Sequence, residues 1–225
     1  MPGFGLTKYT DYQLIRSKRK SLAIEVKPDA SVVVRAPHSL PHTEIESFVR
    51  QKSTWIEAKR IKAEAYLKAN PSYQDGSLML YLGEAYPIKR LSGDKTQVLF
   101  DGQTLSVSGE ASEAFRQFYR QQFEQVALPR LDYYAKTHQL PYRKVRLKAQ
   151  KTRWGSCGAN NDINLNYLLA MAPISVIDYV LIHELCHTRI KNHSKDFWQL
   201  VASIAPDYQQ AQTWLKQHGY QLQSL

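Results

Sequence analysis

Residues 183–187 read His-Glu-Leu-Cys-His, and His193 stands six positions beyond the second histidine. Residues four apart on an α-helix share a face and lie about 6 Å apart along the axis, so two imidazoles at 183 and 187 can converge on one cation. Glu184 is turned about 100° away around the helix, beside such an ion rather than on it, where a general base belongs. A catalytic zinc site needs three protein ligands and one open position. No glutamate follows Glu184, which leaves His193, Asp196, Asp207 and His218 as downstream candidates for the third ligand. His193 is the nearest. With Asn192 in a left-handed conformation and Ser194 capping the next helix, it would fall at a bend that turns its ring back.

The expected chemistry is hydrolytic: Zn2+ would lower the pKa of a bound water toward about 7, and Glu184 would accept its proton during attack on a polarised peptide carbonyl. The same centre could act on phosphorus in nucleoside phosphates, with Arg153 and its neighbouring cations neutralising oxygens. A third possibility is a nucleic-acid-associated protein whose metal is structural, with binding that weakens steeply in salt.

The elements that must position these residues follow from periodicity. Pro173 to Ile190, with Ile174, Ile177, Val180, Leu181 and Leu185 apolar, predicts a buried helix with Pro173 at its first position. Upstream, Val145, Leu147 and Ala149 alternate as a strand that Arg153 to Cys157 continues. Gly158 to Asp162 turns, and Ile163, Leu165 and Tyr167 alternate again, a hairpin leading to the motif helix. From Ser112, Phe115, Phe118, Tyr119, Phe123, Val126 and Leu131 recur at helical spacing, with Pro129 an expected break or kink.

Residues 9–35 predict strands and a hairpin, with alternating Leu22, Ile24 and Val26, a turn at Pro28-Asp29-Ala30, and a Val32-Val33-Val34 run. Thr43 and Glu46 form a capping-box signature for one helix to about Ala69. Short strands follow around Leu78 to Leu82, Tyr86 to Leu91, Val98 to Phe100 and Leu105 to Val107, the last two joined at Asp101-Gly102. The fold class is therefore α+β, with a β-rich N-terminal domain over 1–110 carrying one long helix and a catalytic domain over 111–225.

The 225 residues carry a formal charge of +10, which favours an anionic substrate or partner such as an acidic peptide, a nucleotide or a nucleic acid. Between Asp132 and Asp162 there is no acid, while Lys136, Arg143, Lys144, Arg146, Lys148, Lys151 and Arg153 are all cationic. No apolar run of 18 residues and no leader pattern occurs, so a soluble cytoplasmic protein without a membrane partner is expected; oligomeric state is not encoded legibly. Only Cys157 and Cys186 are present, which implies no disulfide framework. Cys186 lies off the His183/His187 line and reads as a buried apolar residue, and Cys157 has no base assigned to it.

The run Arg153-Trp154-Gly155-Ser156-Cys157, then Leu165-Asn166, Ala172-Pro173, Val176-Ile177-Asp178-Tyr179-Val180, the 183–187 motif, Asn192-His193-Ser194 and Phe197-Trp198 closely resembles the YgjP-like metallopeptidase family, akin to SprT-like and WLM-type zincins. Looser matches at Arg35-Ala36-Pro37, Trp55-Ile56 and Leu82-Gly83 extend the resemblance across most of the chain. It implies a compact zincin core in which His183, His187 and His193 match the family's ligands and Glu184 its catalytic glutamate. Ala30 and His138-Gln139 depart from it, standing where such proteins often have glycine. The segment at Arg153 resembles the strand that borders the substrate cleft in zincins. Arg153 is then a candidate to hold a carboxylate or phosphate and Trp154 a candidate apolar wall, or else Trp154 is core and Arg153 pairs with an acid such as Asp178. Asp178 and Asp196 are the candidates to orient the ligand rings.

Overall fold

The computed structural model describes residues 4–7, 10–27, 29–68, 73–222 and 225; positions 9, 28 and 69, which the expected hairpin and first helix touch, lie outside them. Contacts divide the chain into two compact units, Met1–Asn70 and Pro71–Leu225. Among the described residues no helix is long and apolar enough to cross a membrane.

In the first unit β1 (Phe4–Thr7), β2 (Thr10–Ser17), β3 (Ala23–Val26) and β4 (Val32–Pro37) form one sheet in the order β1-β2-β4-β3. β3 and β4 make the expected antiparallel hairpin, whereas β2 runs parallel to β4. Val32, Val34 and Ala36 bury themselves against Tyr12, Ile45, Val49 and Ile56 in a small core of their own. The single helix expected after residue 43 is two, α1 (His42–Gln51) and α2 (Ser53–Lys68), separated at Lys52. No capping box forms, because α1 begins two residues early, with Pro41 rather than Thr43 at its N-cap, and places Thr43 inside the first turn, where its hydroxyl cannot cap.

In the second unit β5 (Leu78–Tyr81), β6 (Glu84–Arg90), β7 (Gln97–Phe100) and β8 (Leu105–Ser108) form a sheet in the order β5-β6-β8-β7. The β7–β8 turn is built as its residues suggest: Gly102 adopts φ 96°, and Asp101 Oδ1 accepts from the backbone of Gln103 and Thr104 at 2.8 Å each. Met79, Tyr81, Ile88, Leu105 and Val107 join Phe115, Phe118 and Tyr119 in one core, so residues 71–110 group with the chain that follows them, not with the N-terminal strands.

The spine of that core is α3 (Ala111–Thr137), which buries Phe115, Tyr119, Phe123, Ala127 and Leu131 along one face. It runs unbroken through Pro129. Pro129 is exposed and so lies on the solvent side of α3, while the buried face on either side of it holds the helix together. α3 ends in a left-handed residue, Gln139 (φ 54°), with Leu140 N–H bonded to Ala135 O and Gln139 N–H to Lys136 O. That pattern is a Schellman stop.

Three further strands, β9 (Lys144–Lys148), β10 (Gly155–Cys157) and β11 (Asp162–Asn166), form a sheet in the order β10-β11-β9. The segment 153–157 does not continue β9. β9 lies parallel to β11 on one side and β10 antiparallel to it on the other. The chain then enters a 3-10 turn, Tyr167–Met171, rather than staying extended at Tyr167, because the Asn166 side chain accepts from Leu168 N–H and starts the turn. Helices α4 (Ile174–Arg189), α5 (Lys195–Ile204) and α6 (Tyr208–Leu222) complete the unit.

Candidate metal centre

α4 is fixed at both ends before its side chains are considered. Pro173 sits at its N-cap, one residue ahead of the position expected, and the β5–β6 turn braces this end. Leu82 and Gly83 there take φ 50° and 92° and donate to the carbonyls of Ala170 and Met171. A Cβ on Gly83 would lie 2.7 Å from Pro173 Cγ, so only glycine permits this approach. Along its length, Asp178 receives a bidentate ion pair from Arg130 of α3 at 2.5 and 2.6 Å, which clamps the two long helices together.

At the other end α4 stops at Arg189, with Ile190 extended (φ −125°), and not through a left-handed Asn192. Asn192 instead accepts the Ser194 N–H with its side chain at 3.3 Å, and Ser194 caps α5 by accepting from Phe197 N–H. The bend still brings the third imidazole back. His193 Nε2 lies 3.1 Å from His183 Nε2 and 3.2 Å from His187 Nε2. Nitrogens bound at about 2.0–2.1 Å around a tetrahedral zinc are separated by about 3.3 Å, so the three donors stand at the spacing one ion requires.

Their protonation also suits ligation. His187 Nδ1 is 3.0 Å from the Ile190 carbonyl, an acceptor only, so the ring proton sits on Nδ1 and the Nε2 lone pair faces the cluster. Burial together with the neighbouring imidazoles pushes His183 down to about 3, and burial lowers His187 as well; both therefore stay neutral. His187 is buried and His183 half-buried, while His193 is exposed, which leaves the cluster open on one side. These three histidines could hold a metal, and the fit is one of donor type, spacing and tautomer.

Glu184 is 5% exposed, and its Oε2 has no hydrogen-bond partner among the described residues. Burial pushes its carboxyl up to about 8, opposed by the nearby charge of Arg153. β10 packs against the carboxyl: a Cβ built on Gly155 would fall 2.5 Å from Glu184 Oε1. Gly155 was missed in the sequence, where nothing marks a strand glycine as lying against a residue 29 positions on; a glycine inside a strand is itself the signal of close approach.

The remaining candidates separate. Arg153 is exposed and does not pair with Asp178, which is occupied by Arg130. Trp154 is half-buried, and a Cβ on Gly219 of α6 would lie 2.9 Å from its Cζ2. Arg143 and Lys144 share one counter-charge, Asp162, at 2.6 and 3.3 Å. Arg146 pairs in register with Asn164, and Asn164 bonds to Ser156, so this row projects on the sheet face opposite Gly155 and Leu165, away from Glu184. Of the basic run, Arg153 is the member whose charge reaches Glu184.

Asp178 and Asp196 do not orient the histidine rings among the described contacts; the Ile190 carbonyl serves His187, and Tyr179 Oη lies 3.4 Å from His183 Nδ1. The turn between β10 and β11 is tied to the stretch carrying His193 by Lys191, whose Nζ donates to Gly158 O at 2.9 Å and Asn161 Oδ1 at 2.6 Å and contacts Cys157 Sγ at 3.5 Å. Asn166, buried, spends its amide on the carbonyls of Gln150 and Arg153 and holds the approach to β10 in place.

No curated protein matches the chain. A family model described as YgjP-like, metallopeptidase domain, matches residues 20–218 and so contains every residue of the cluster. Membership carries with it a metal-dependent hydrolase and a divalent cation, for which the three imidazoles are the group the structure offers. The chain belongs to the YgjP-like metallopeptidase family.

Proposed function

We propose that this protein is a zinc-dependent peptidase in which His183, His187 and His193 hold the metal and Glu184 is the general base. The observation that carries the reading is the meeting of three Nε2 atoms, at 3.1 and 3.2 Å along two sides, beside a buried carboxyl with an unpartnered oxygen. Zinc bound there would supply Lewis acidity, polarising a substrate carbonyl and acidifying water.

The protein's own groups do the rest. Glu184 Oε2, without a hydrogen-bond partner among the described residues, accepts the proton of the attacking water and delivers it to the leaving amine. Gly155 leaves the space that lets this carboxyl lie against the strand. Among the described residues β10 pairs with β11 alone, so its outer edge is available to an extended peptide, which would add as a further strand beside Glu184. Arg153, exposed where β10 begins, offers a bidentate site for a substrate carboxylate, and Trp154, seated on Gly219, supports that end of the strand. The strand edge favours a peptide over a nucleotide.

The phosphohydrolase alternative draws on the same Arg153, and one experiment separates them. Purified protein is assayed against unfolded casein-type substrates and a nucleoside triphosphate panel, with and without chelator, alongside Glu184→Gln. Peptide cleavage lost with chelator and lost in the variant is the expected result. Nucleotide turnover with that same dependence, and no peptide cleavage, would replace the peptidase reading.

A further inference from the structure

We propose that the C-terminal helix α6 is a positioning element of the metal centre, acting through Tyr208 and Gln212 on the rings of His193 and His183. The proposal rests on the reading of those histidines as ligands. Two arms lead from α6 to the cluster. Gln212 Nε2 donates to Tyr179 Oη at 3.1 Å, and that oxygen lies 3.4 Å from His183 Nδ1. Ligation through Nε2 requires the His183 proton on Nδ1, so the imidazole donates to the Tyr179 oxygen, whose remaining lone pair takes the amide of Gln212. Gln212 thereby fixes where the acceptor of His183 stands.

The second arm is a stack of rings. Tyr208 lies 5.4 Å from Trp198 with planes 21° apart, and Trp198 lies 5.6 Å from His193 with planes 28° apart. Tyr208 also faces Tyr179 at 6.4 Å and 24°. It is therefore inserted between the aromatic that contacts one ligand and the aromatic that contacts another. His193 is exposed and sits on a short connection between α4 and α5, so its ring has most to gain from being held flat against Trp198. Successive rings stacked at 21–28° restrict one another's rotation, and each pair adds attraction beyond the area it buries. Tyr208 and Gln212 are one helical turn apart, so one face of α6 serves both ligands.

The test is zinc affinity, measured by competition with a chromophoric chelator, for the wild type, Tyr208→Ala, Tyr208→Phe, Tyr179→Phe, Gln212→Met and His193→Ala. Removing a group that orients a ligand costs about 10–100-fold in metal affinity. Tyr208→Ala and Tyr179→Phe are expected to weaken binding within that range. Tyr208→Phe, which keeps the ring, should bind as the wild type does, and Gln212→Met should fall between. Thermal melts of the chelator-treated proteins separate positioning from folding: Tyr179→Phe is expected to melt with the wild type while binding zinc more weakly. Cobalt-loaded Tyr179→Phe should show an altered visible spectrum. If Tyr208→Ala and Tyr179→Phe keep wild-type affinity while His193→Ala loses it, the positioning role is overturned and the ligand assignment stands. If His193→Ala also keeps it, the ligand assignment fails and this inference with it.

Discussion

Gly155 on β10 and Glu184 on α4 occupy space that only one of them can fill: a Cβ on residue 155 would lie 2.5 Å from Glu184 Oε1 and 2.6 Å from its Cγ. No backbone strain is involved, since Gly155 is a strand residue without positive φ; the requirement is purely one of room. Gly155→Ala is therefore expected to push the carboxyl out of line and lower kcat by about 10²–10⁴, the range a general base contributes, while zinc content stays at the wild-type level. A variant with unchanged kcat would show that the carboxyl tolerates displacement and is not the base.

The same burial gives a pH signature in protein stripped of metal. Because Glu184 is raised from the ordinary carboxyl range to about 8, the folded chain holds a proton there that the unfolded chain releases from about pH 4.5 upward. Wild-type stability should consequently fall as pH rises from about 4.5 to about 8 through this group, and level off above. Glu184→Gln abolishes that titration. Chelator-treated Glu184→Gln should melt higher than the wild type at pH 9, with the difference shrinking toward pH 5; a difference independent of pH would mean the carboxyl titrates normally.

Two positions that depart from glycine carry left-handed backbone, Ala30 at φ 63° and Gln139 at φ 54°. A side chain there costs about 1–2 kcal/mol in local sterics, partly offset by the greater freedom glycine has in the unfolded chain. Gln139→Gly, at the Schellman stop of α3, should stabilise the protein by about 0.5–1 kcal/mol in denaturant titration, and Ala30→Gly by a similar amount in the first unit. Loss of stability in either variant would contradict the backbone assignment.

Cys186 is fully buried and its thiol is pushed up to about 12, whereas Cys157 is half-buried, raised by desolvation but opposed by Lys191. Alkylation of the native protein at pH 8 should label Cys157 and spare Cys186, with both labelled after denaturation. Cys157→Ala should retain peptidase activity, since no step uses that thiol.

The meeting of the three histidines was legible because its geometry is local. Spacing of four on a helix puts His183 and His187 on one face whatever the rest of the chain does, and a short bend suffices for His193. What orients the cluster was not, because the partners are distant in sequence or belong to the backbone. Asp178 is adjacent to the motif yet faces Arg130 on α3, while Gln212 reaches the site from α6 and the Ile190 carbonyl leaves no mark in composition. The strands show the same limit. Alternation identifies Val145 and Leu147 as a strand, but it carries no information on pairing, and 153–157 lies on the far side of β11 instead of extending β9. No break forms at Pro129, because the burial of Phe123, Ala127 and Leu131 outweighs the one helical hydrogen bond that a proline removes.

The most direct measurement of the central claim is a crystal structure of zinc-loaded protein with anomalous data at the zinc edge. One anomalous peak is predicted within about 2.0–2.1 Å of Nε2 of His183, His187 and His193, with the Glu184 carboxyl beside it and not bound to it. A peak at other residues, or none in protein shown to carry stoichiometric zinc in solution, would contradict the account.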